Sequence, residues 1–152
     1  MLEKYQENLS NNAKKLLEHG YFIVKTQNKP LLDLIRDSFL EFLKSEHGIE
    51  LDKNTLHNLH TVLSNKNINK VRMSFFKYIN KSSKHFSLDF LSLAQDALFD
   101  VVGTELASNK MVNFSMQLPG DETSLLPIHS DMFSGESPYQ INLWVPLTDA
   151  HD

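Results

Sequence analysis

The chain has 152 residues, of which 41% are hydrophobic and 22% are charged, and this balance is typical of a single globular domain with its own core. The formal net charge of −4 argues against a nucleic-acid-binding domain with a broad basic face. The lack of cysteine excludes a disulfide framework and a thiolate metal site, so any metal must be bound by histidine and carboxylate side chains. No stretch approaches the roughly 18 apolar residues of a membrane span, and no apolar signal-peptide core is found. We therefore expect a cytoplasmic protein with no nucleic-acid or membrane partner.

Residues 1–107 are expected to be mainly helical. Apolar side chains recur at three- and four-residue steps in the first twenty residues, which predicts a helix that ends at Gly20. The β-branched and aromatic run YFIV at 21–24 predicts a short strand. Asn28 is the predicted cap of a second helix that ends near His47. Further helices are predicted over 54–63, 67–80 and 87–107.

After residue 110 the hydrophobic period changes from 3.6 to 2, which indicates β-strands. Residues 111–119 and 139–147 each alternate apolar with polar side chains, so a strand with one apolar and one polar face is predicted for each. The polar faces carry Asn113, Ser115 and Gln117 in the first segment and Gln140, Asn142 and Trp144 in the second. Between them, LLPIHSDMFSG at 125–135 begins like a further buried strand that polar residues interrupt.

His129 and Asp131 are the strongest candidates for chemistry. In a strand, side chains two residues apart project from the same face, so the imidazole and the carboxylate can converge on one ion. Such a pair suits iron(II), as two members of the 2-His-1-carboxylate triad. The motif alone is weak, because His-x-Asp occurs by chance in many proteins and a His–Asp hydrogen bond at a strand end is the commoner explanation. From the pair alone, both interpretations stay open.

The surroundings of the pair carry a resemblance to a known family. The stretch GTELASNKMVNFSMQLPGDETSLLPIHSDMFSGESPYQINLWVPLTDA, from Gly103 to Ala150, resembles the phytanoyl-CoA dioxygenase-like branch of the iron(II)/2-oxoglutarate-dependent oxygenases. It is most similar to the bacterial members associated with surface-carbohydrate biosynthesis clusters. Weaker similarity lies in HGYFIV at 19–24 and LHNLH at 56–60. The specific match therefore covers only part of the chain.

The resemblance implies an α+β fold, in which N-terminal helices pack on a partial double-stranded β-helix, or jelly roll. In a single domain of residues 1–152, residues 1–107 would form a mainly helical wrap with a short strand near 21–24. Residues 111–147 would form the first strands of the jelly-roll sheet. In this family the distal histidine and the 2-oxoglutarate-binding arginine come from later strands. The chain is therefore expected to be the N-terminal portion of such an enzyme, truncated after the His-x-Asp motif, and weakly active or inactive alone.

The implied activity is oxidation of a sugar or small metabolite, coupled to decarboxylation of 2-oxoglutarate, with Fe(II) as the metal and O2 as co-substrate. His129 and Asp131 match the family's metal ligands, and Asn113, Gln117 and Trp144 are weaker candidates for lining the cofactor or substrate cavity. A second chain or a homodimer is expected to cover the open sheet edge. Two alternatives remain: a non-catalytic binding module that keeps the pair as a relic, and a site whose third ligand comes from a second chain.

Four other residues have more ordinary explanations. His57 and His60, three residues apart on a predicted helix, could share a metal, but a polar, partly exposed helix face is favoured. Arg72 could contact a substrate or cosubstrate, although an arginine that packs its aliphatic stem on an amphipathic helix is favoured. His151 follows the last predicted strand too closely to be the family's distal ligand.

Overall fold

The computed structural model of the chain describes residues 9–81, 86–122 and 127–149. Regular structure in these ranges is helical. The helices are α1 (Asn11–His19), α2 (Lys29–His47), α3 (Leu59–Val62), α4 (Asn65–Lys81), α5 (Phe86–Leu91) and α6 (Gln95–Val102), with 3₁₀ turns at Leu56–Asn58 and Asp131–Ser134. Among these helices none is long and apolar enough to cross a membrane.

The predicted ends of the first two helices are confirmed. α1 ends at Gly20, whose φ of +78° is left-handed and whose N–H donates to the carbonyl of Leu16. The side-chain oxygen of Asn28 accepts a hydrogen bond from the backbone N–H of Leu31 and so caps the start of α2. α2 ends at His47, as the sequence predicts.

The later helices differ from the prediction in their lengths. The helix predicted over 87–107 forms as two short helices, α5 and α6. Between them the hydroxyl of Ser92 donates to the carbonyl of Asp89, a local hydrogen bond that competes with helix continuation. The helix predicted over 54–63 forms as a 3₁₀ turn followed by α3, and the one over 67–80 lies within α4.

The predicted α+β fold is wrong, since the described ranges form no β-strand, sheet or barrel and cannot be helices packed on a partial jelly roll. The strand predicted at 21–24 is not formed. Residues 112–118 and 141–146 run without a turn or bend, but within the described ranges they pair with no other strand. In the first segment the alternation persists, since Phe114 and Met116 turn inward while Asn113, Ser115 and Gln117 are exposed. In the second segment Leu143 is exposed together with Asn142 and Trp144. Alternation sets the faces of an extended segment, but a strand also requires hydrogen bonds from a second segment.

The chain divides into two compact units. Unit 1 comprises Met1–Ile35 and Tyr78–Val112, and unit 2 comprises Arg36–Lys77 and Asn113–Asp152. α2 and α4 each contribute residues to both units. The single domain expected for 1–152 stays a prediction.

In unit 1 the loop before α2 is fastened to the break between α5 and α6. The backbone N–H of Gln27 donates to the carbonyl of Leu93, and Nδ2 of Asn28 donates to Oγ of Ser92 at 3.0 Å. The side chain of Gln27 also bonds to Asp96, donating to its carboxylate and accepting from its N–H. α1 packs against α6 in the same unit.

Unit 2 has an aromatic core. Phe75 of α4 is 1% exposed, and its ring centroid lies 4.7 Å from Phe39, 5.1 Å from Phe42 and 4.7 Å from Phe114. Phe39 and Phe42 belong to α2, whereas Phe114 belongs to the extended segment at 112–118. The cluster therefore holds that segment against α2 and α4 in place of strand pairing.

Two hydrogen bonds fasten other parts of unit 2 to these helices. Nε of Arg36 donates to the carbonyl of Leu147 at 2.8 Å and so anchors the end of the 139–147 segment on α2. Nδ2 of Asn65, at the start of α4, donates to the carbonyl of Gly120 at 3.4 Å. Each hydrogen bond joins two residues that are far apart in sequence, so local sequence patterns predict neither.

Candidate functional site

The two predicted metal ligands lie together on the surface of unit 2. Asp131 begins the 3₁₀ turn Asp131–Ser134, and its carbonyl accepts from the N–H of Glu136. His129 precedes the turn, and its Nε2 lies 3.5 Å from Oδ1 of Asp131. The His129 side chain is 49% exposed and that of Asp131 42% exposed, so both groups are accessible from solvent.

One hydrogen bond decides which nitrogen of His129 is available. Nδ1 lies 2.8 Å from the carbonyl oxygen of Pro127, and because a carbonyl can only accept, Nδ1 carries the proton. In the neutral ring Nε2 then has a lone pair, which faces the Asp131 carboxylate. The 3.5 Å between Nε2 and Oδ1 is longer than a hydrogen bond. A positive charge stabilises such an arrangement, either a proton on Nε2 or a metal ion.

The spacing fits two ligands of one ion. Two atoms that each lie about 2.1 Å from a metal are about 3.0 Å apart at a right angle and about 3.4 Å apart at a tetrahedral angle. The observed 3.5 Å needs only a small side-chain movement to reach this range. Metal-bound histidines commonly donate their other ring N–H to a backbone carbonyl, as His129 does to Pro127. The pair therefore fits a divalent ion that accepts imidazole and carboxylate ligands.

Asn142 holds the carboxylate of the pair from the 139–147 segment. Its Nδ2 donates to Oδ2 of Asp131 at 3.0 Å, which leaves Oδ1 facing His129. Its own side-chain oxygen accepts from Nε2 of Gln140 at 2.7 Å. Partners of this kind orient metal ligands and tune their affinity. The sequence pattern placed Asn142 only on a polar strand face, because nothing local shows that it meets a residue eleven positions earlier.

The three residues that were predicted to line a cavity are exposed. Asn113 and Gln117 are exposed along 112–118, and Trp144 is 72% exposed. Within the ranges that the structure describes, none of them is hydrogen-bonded to His129 or Asp131. Their role in lining a cofactor or substrate cavity stays a prediction.

The remaining candidates have ordinary surroundings. His57 and His60 are exposed, and Nδ1 of His60 lies 3.1 Å from the carbonyl of His57. Nη2 of Arg72 donates to the side chain of Asn69, one turn earlier on α4, at 2.8 Å. His151 lies outside the described residues.

Unit 1 contains a second polar feature, an open cleft of about 360 Å³. Its walls include the carboxylates of Asp96 and Asp100 on α6, together with Lys25. Both carboxylates already accept hydrogen bonds from the amide side chains of Gln27 and Asn12. The cleft lining includes no histidine among the described residues, so the pair in unit 2 is the stronger candidate for a metal site.

The candidate site brings together two side chains, those of His129 and Asp131, of types that can bind a metal. In the part of the chain that the structure describes, no three histidine, aspartate or glutamate side chains are grouped to hold an ion. No protein-family model, curated protein or solved structure matches the chain. The resemblance to the oxygenases therefore stays a prediction, and the geometry of the pair has to support any proposed function.

Proposed function

We propose that the chain is part of a non-haem iron(II)/2-oxoglutarate-dependent oxygenase of the phytanoyl-CoA dioxygenase-like type, in which His129 and Asp131 bind the iron. The observation that supports the proposal is the 3.5 Å approach of Nε2 to Oδ1, with the ring proton held on Nδ1. This arrangement offers an imidazole lone pair and a carboxylate oxygen to one ion. A jelly-roll scaffold is not part of the proposal, because the described ranges are helical.

Each residue of the site has its own task. His129 and Asp131 are the ligands, the Pro127 carbonyl keeps the proton on Nδ1, and Asn142 occupies Oδ2 so that Oδ1 faces the histidine. Iron(II) held by such ligands supplies the chemistry that activates dioxygen toward a bound substrate. The half-exposed position of the pair leaves its open side accessible to small molecules.

The contacts of the pair support iron more directly than 2-oxoglutarate. A carboxylate cosubstrate is typically held by arginine or lysine. Among the described residues, neither His129 nor Asp131 is bonded to an arginine or lysine side chain, so the pair assigns 2-oxoglutarate no binding residue. The proposed substrate is a sugar or small metabolite that is used in the cytoplasm for surface-carbohydrate biosynthesis. Only the resemblance of residues 103–150 supports this part of the proposal.

A non-catalytic module is the second candidate function. It would bind a carbohydrate or a partner and keep His129 and Asp131 as a relic, with a proton on Nε2 in place of a metal. The observation in its favour is that the described residues group no third histidine or carboxylate with the pair. Two protein ligands hold iron(II) less tightly than three.

Anaerobic titration calorimetry with iron(II) separates the two candidates. The oxygenase proposal predicts one iron(II) per chain, and at least about tenfold weaker binding in His129→Ala and in Asp131→Asn. His57→Ala is the matched control, since it removes another exposed histidine of unit 2 that the proposal gives no role. Adding 2-oxoglutarate to the iron-loaded wild type should produce a weak visible charge-transfer band.

Equal binding by wild type, His129→Ala and His57→Ala would contradict the proposal and favour the non-catalytic module. Circular dichroism of each variant confirms that the helices remain. A change in metal binding then reports the ligands rather than unfolding.

A further inference from the structure

The middle of the 139–147 segment leaves its backbone groups without partners among the described residues. The N–H of Gln140 donates back to Ser137, and the carbonyl of Leu147 accepts from Arg36. Between these two points, residues 141–146 run without a turn or bend and form no backbone hydrogen bond among the residues that the structure describes. A row of free N–H and C=O groups on an extended segment is a template for pairing with another chain.

The exposed side chains around this segment are unusually apolar. Trp144 is 72% exposed, Tyr139 is 91% exposed, and Phe133 in the neighbouring 3₁₀ turn is 93% exposed. The hydrogen bond from Asn142 to Asp131 ties that turn to the segment. Large exposed aromatic side chains in one region mark a surface that contacts another protein.

The charge pattern favours a second copy of the same chain as the occupant. Residues 137–148 contain no charged side chain and no histidine, whereas Glu136 and Asp149 flank them. A neutral segment meets its own copy without repulsion, and nothing in it would recognise a charged partner. Sliding the pairing in either direction would bring Glu136 or Asp149 beside apolar residues. The flanking carboxylates therefore favour full overlap of the two segments.

The exposed aromatic area comes close to what a stable dimer requires. An aromatic side chain buries about 150–250 Å² when fully covered, so the exposed parts of Phe133, Tyr139 and Trp144 supply about 800–1,300 Å² over two copies. Stable interfaces begin at about 1,200 Å² in total. Backbone pairing along the extended residues 141–146 would add to this area.

We propose that two copies of this chain associate through antiparallel pairing of their 139–147 segments, with Leu143 at the two-fold axis. Leu143 is the midpoint of the segment, so in this register the extended residues 141–145 pair with the same residues of the second copy. Pro146, which has no N–H, then lies near the end of the ladder, where strands tolerate proline. Pairing requires no metal, so the proposal is independent of the oxygenase function.

Sedimentation equilibrium of the purified chain tests the association. The wild type should be a dimer at micromolar concentrations, and Trp144→Lys should weaken the dimer by about thirty-fold or more, because it removes a central aromatic contact and places two cations across the axis. Ile23→Lys is the matched control, since Ile23 is 85% exposed in unit 1 and lies outside the segment. It should leave the dimer unchanged.

Cysteine crosslinking tests the register. The chain contains no cysteine, so a single Leu143→Cys variant offers one thiol per copy. Side chains directly opposite in an antiparallel pair lie within reach of a disulfide. Mild oxidation should therefore link Leu143→Cys into dimers and leave Ile23→Cys monomeric on a non-reducing gel. A wild-type chain that stays monomeric, or equal crosslinking of both variants, would overturn the proposal. The segment would then be expected to pair with a different polypeptide.

Discussion

Replacing Phe75 by alanine tests whether the aromatic cluster holds the extended 112–118 segment in unit 2. Phe75 is 1% exposed and contacts Phe39, Phe42 and Phe114. Truncation removes the buried ring and leaves a cavity, so Phe75→Ala should lower the free energy of unfolding by about 3–5 kcal/mol. That is a large part of the about 5–15 kcal/mol that stabilises a typical domain. Urea unfolding followed by circular dichroism measures the change.

A double-mutant cycle with Phe114→Ala isolates the contact between α4 and the segment. The edge-on ring pair, with centroids 4.7 Å apart, should couple by about 0.5–1.5 kcal/mol beyond area burial. Phe75→Leu, which keeps much of the buried volume, is the control and should cost less than Phe75→Ala. Additive effects of Phe75→Ala and Phe114→Ala would refute the reasoning, because the segment would then be held by something other than this cluster.

Three further predictions follow from single contacts. Arg36→Ala should lower the free energy of unfolding by about 1.5–3 kcal/mol in a urea titration, because Leu147 loses a charge-assisted hydrogen bond; a change below about 0.5 kcal/mol would count against the anchor. Hydrogen bonds from the hydroxyl and N–H of Thr55 hold the pKa of Asp52 below its ordinary value. Asp52 therefore stabilises the fold above about pH 3.9, and this contribution is lost as the pH falls through its lowered pKa. The thermal unfolding temperature of Asp52→Asn should therefore vary less with pH in that acid range than that of the wild type. An unchanged pH profile would contradict the assignment. Asn142→Ala should weaken iron(II) binding about tenfold in calorimetry, since it frees the Asp131 carboxylate to rotate, and undiminished affinity would remove Asn142 from the site.

Helices were predictable where the determining contacts are local. Asn28 bonds to the backbone three residues on, and Gly20 adopts the left-handed conformation that ends a helix, so both signals lie within one turn. The break between α5 and α6 was missed, because the apolar periodicity continues through Ser92 although its side chain bonds locally. Local patterns also predicted that Phe114 and Met116 face inward.

The strand predictions were wrong because strand formation depends on contacts that are not local. Alternation along 111–119 and 139–147 predicts which side is apolar, but a sheet depends on a partner that the pattern of one segment does not contain. The candidate site shows the same division. The approach of His129 to Asp131 was predicted from strand geometry, but Asp131 begins a 3₁₀ turn, so a local turn and not a strand brings the two side chains together. The Asn142 contact depends on how the chain returns after that turn.

The proposed function depends on a lone pair at Nε2 of His129 that is free to bind iron(II) beside the Asp131 carboxylate. Long-range ¹H–¹⁵N NMR of the imidazole rings during an anaerobic iron(II) titration tests this most directly. We predict a proton on Nδ1 of neutral His129. We also predict that paramagnetic broadening removes the His129 signals before those of His57 and His60. A neutral His129 ring protonated on Nε2, or equal broadening of all three histidines, would contradict it.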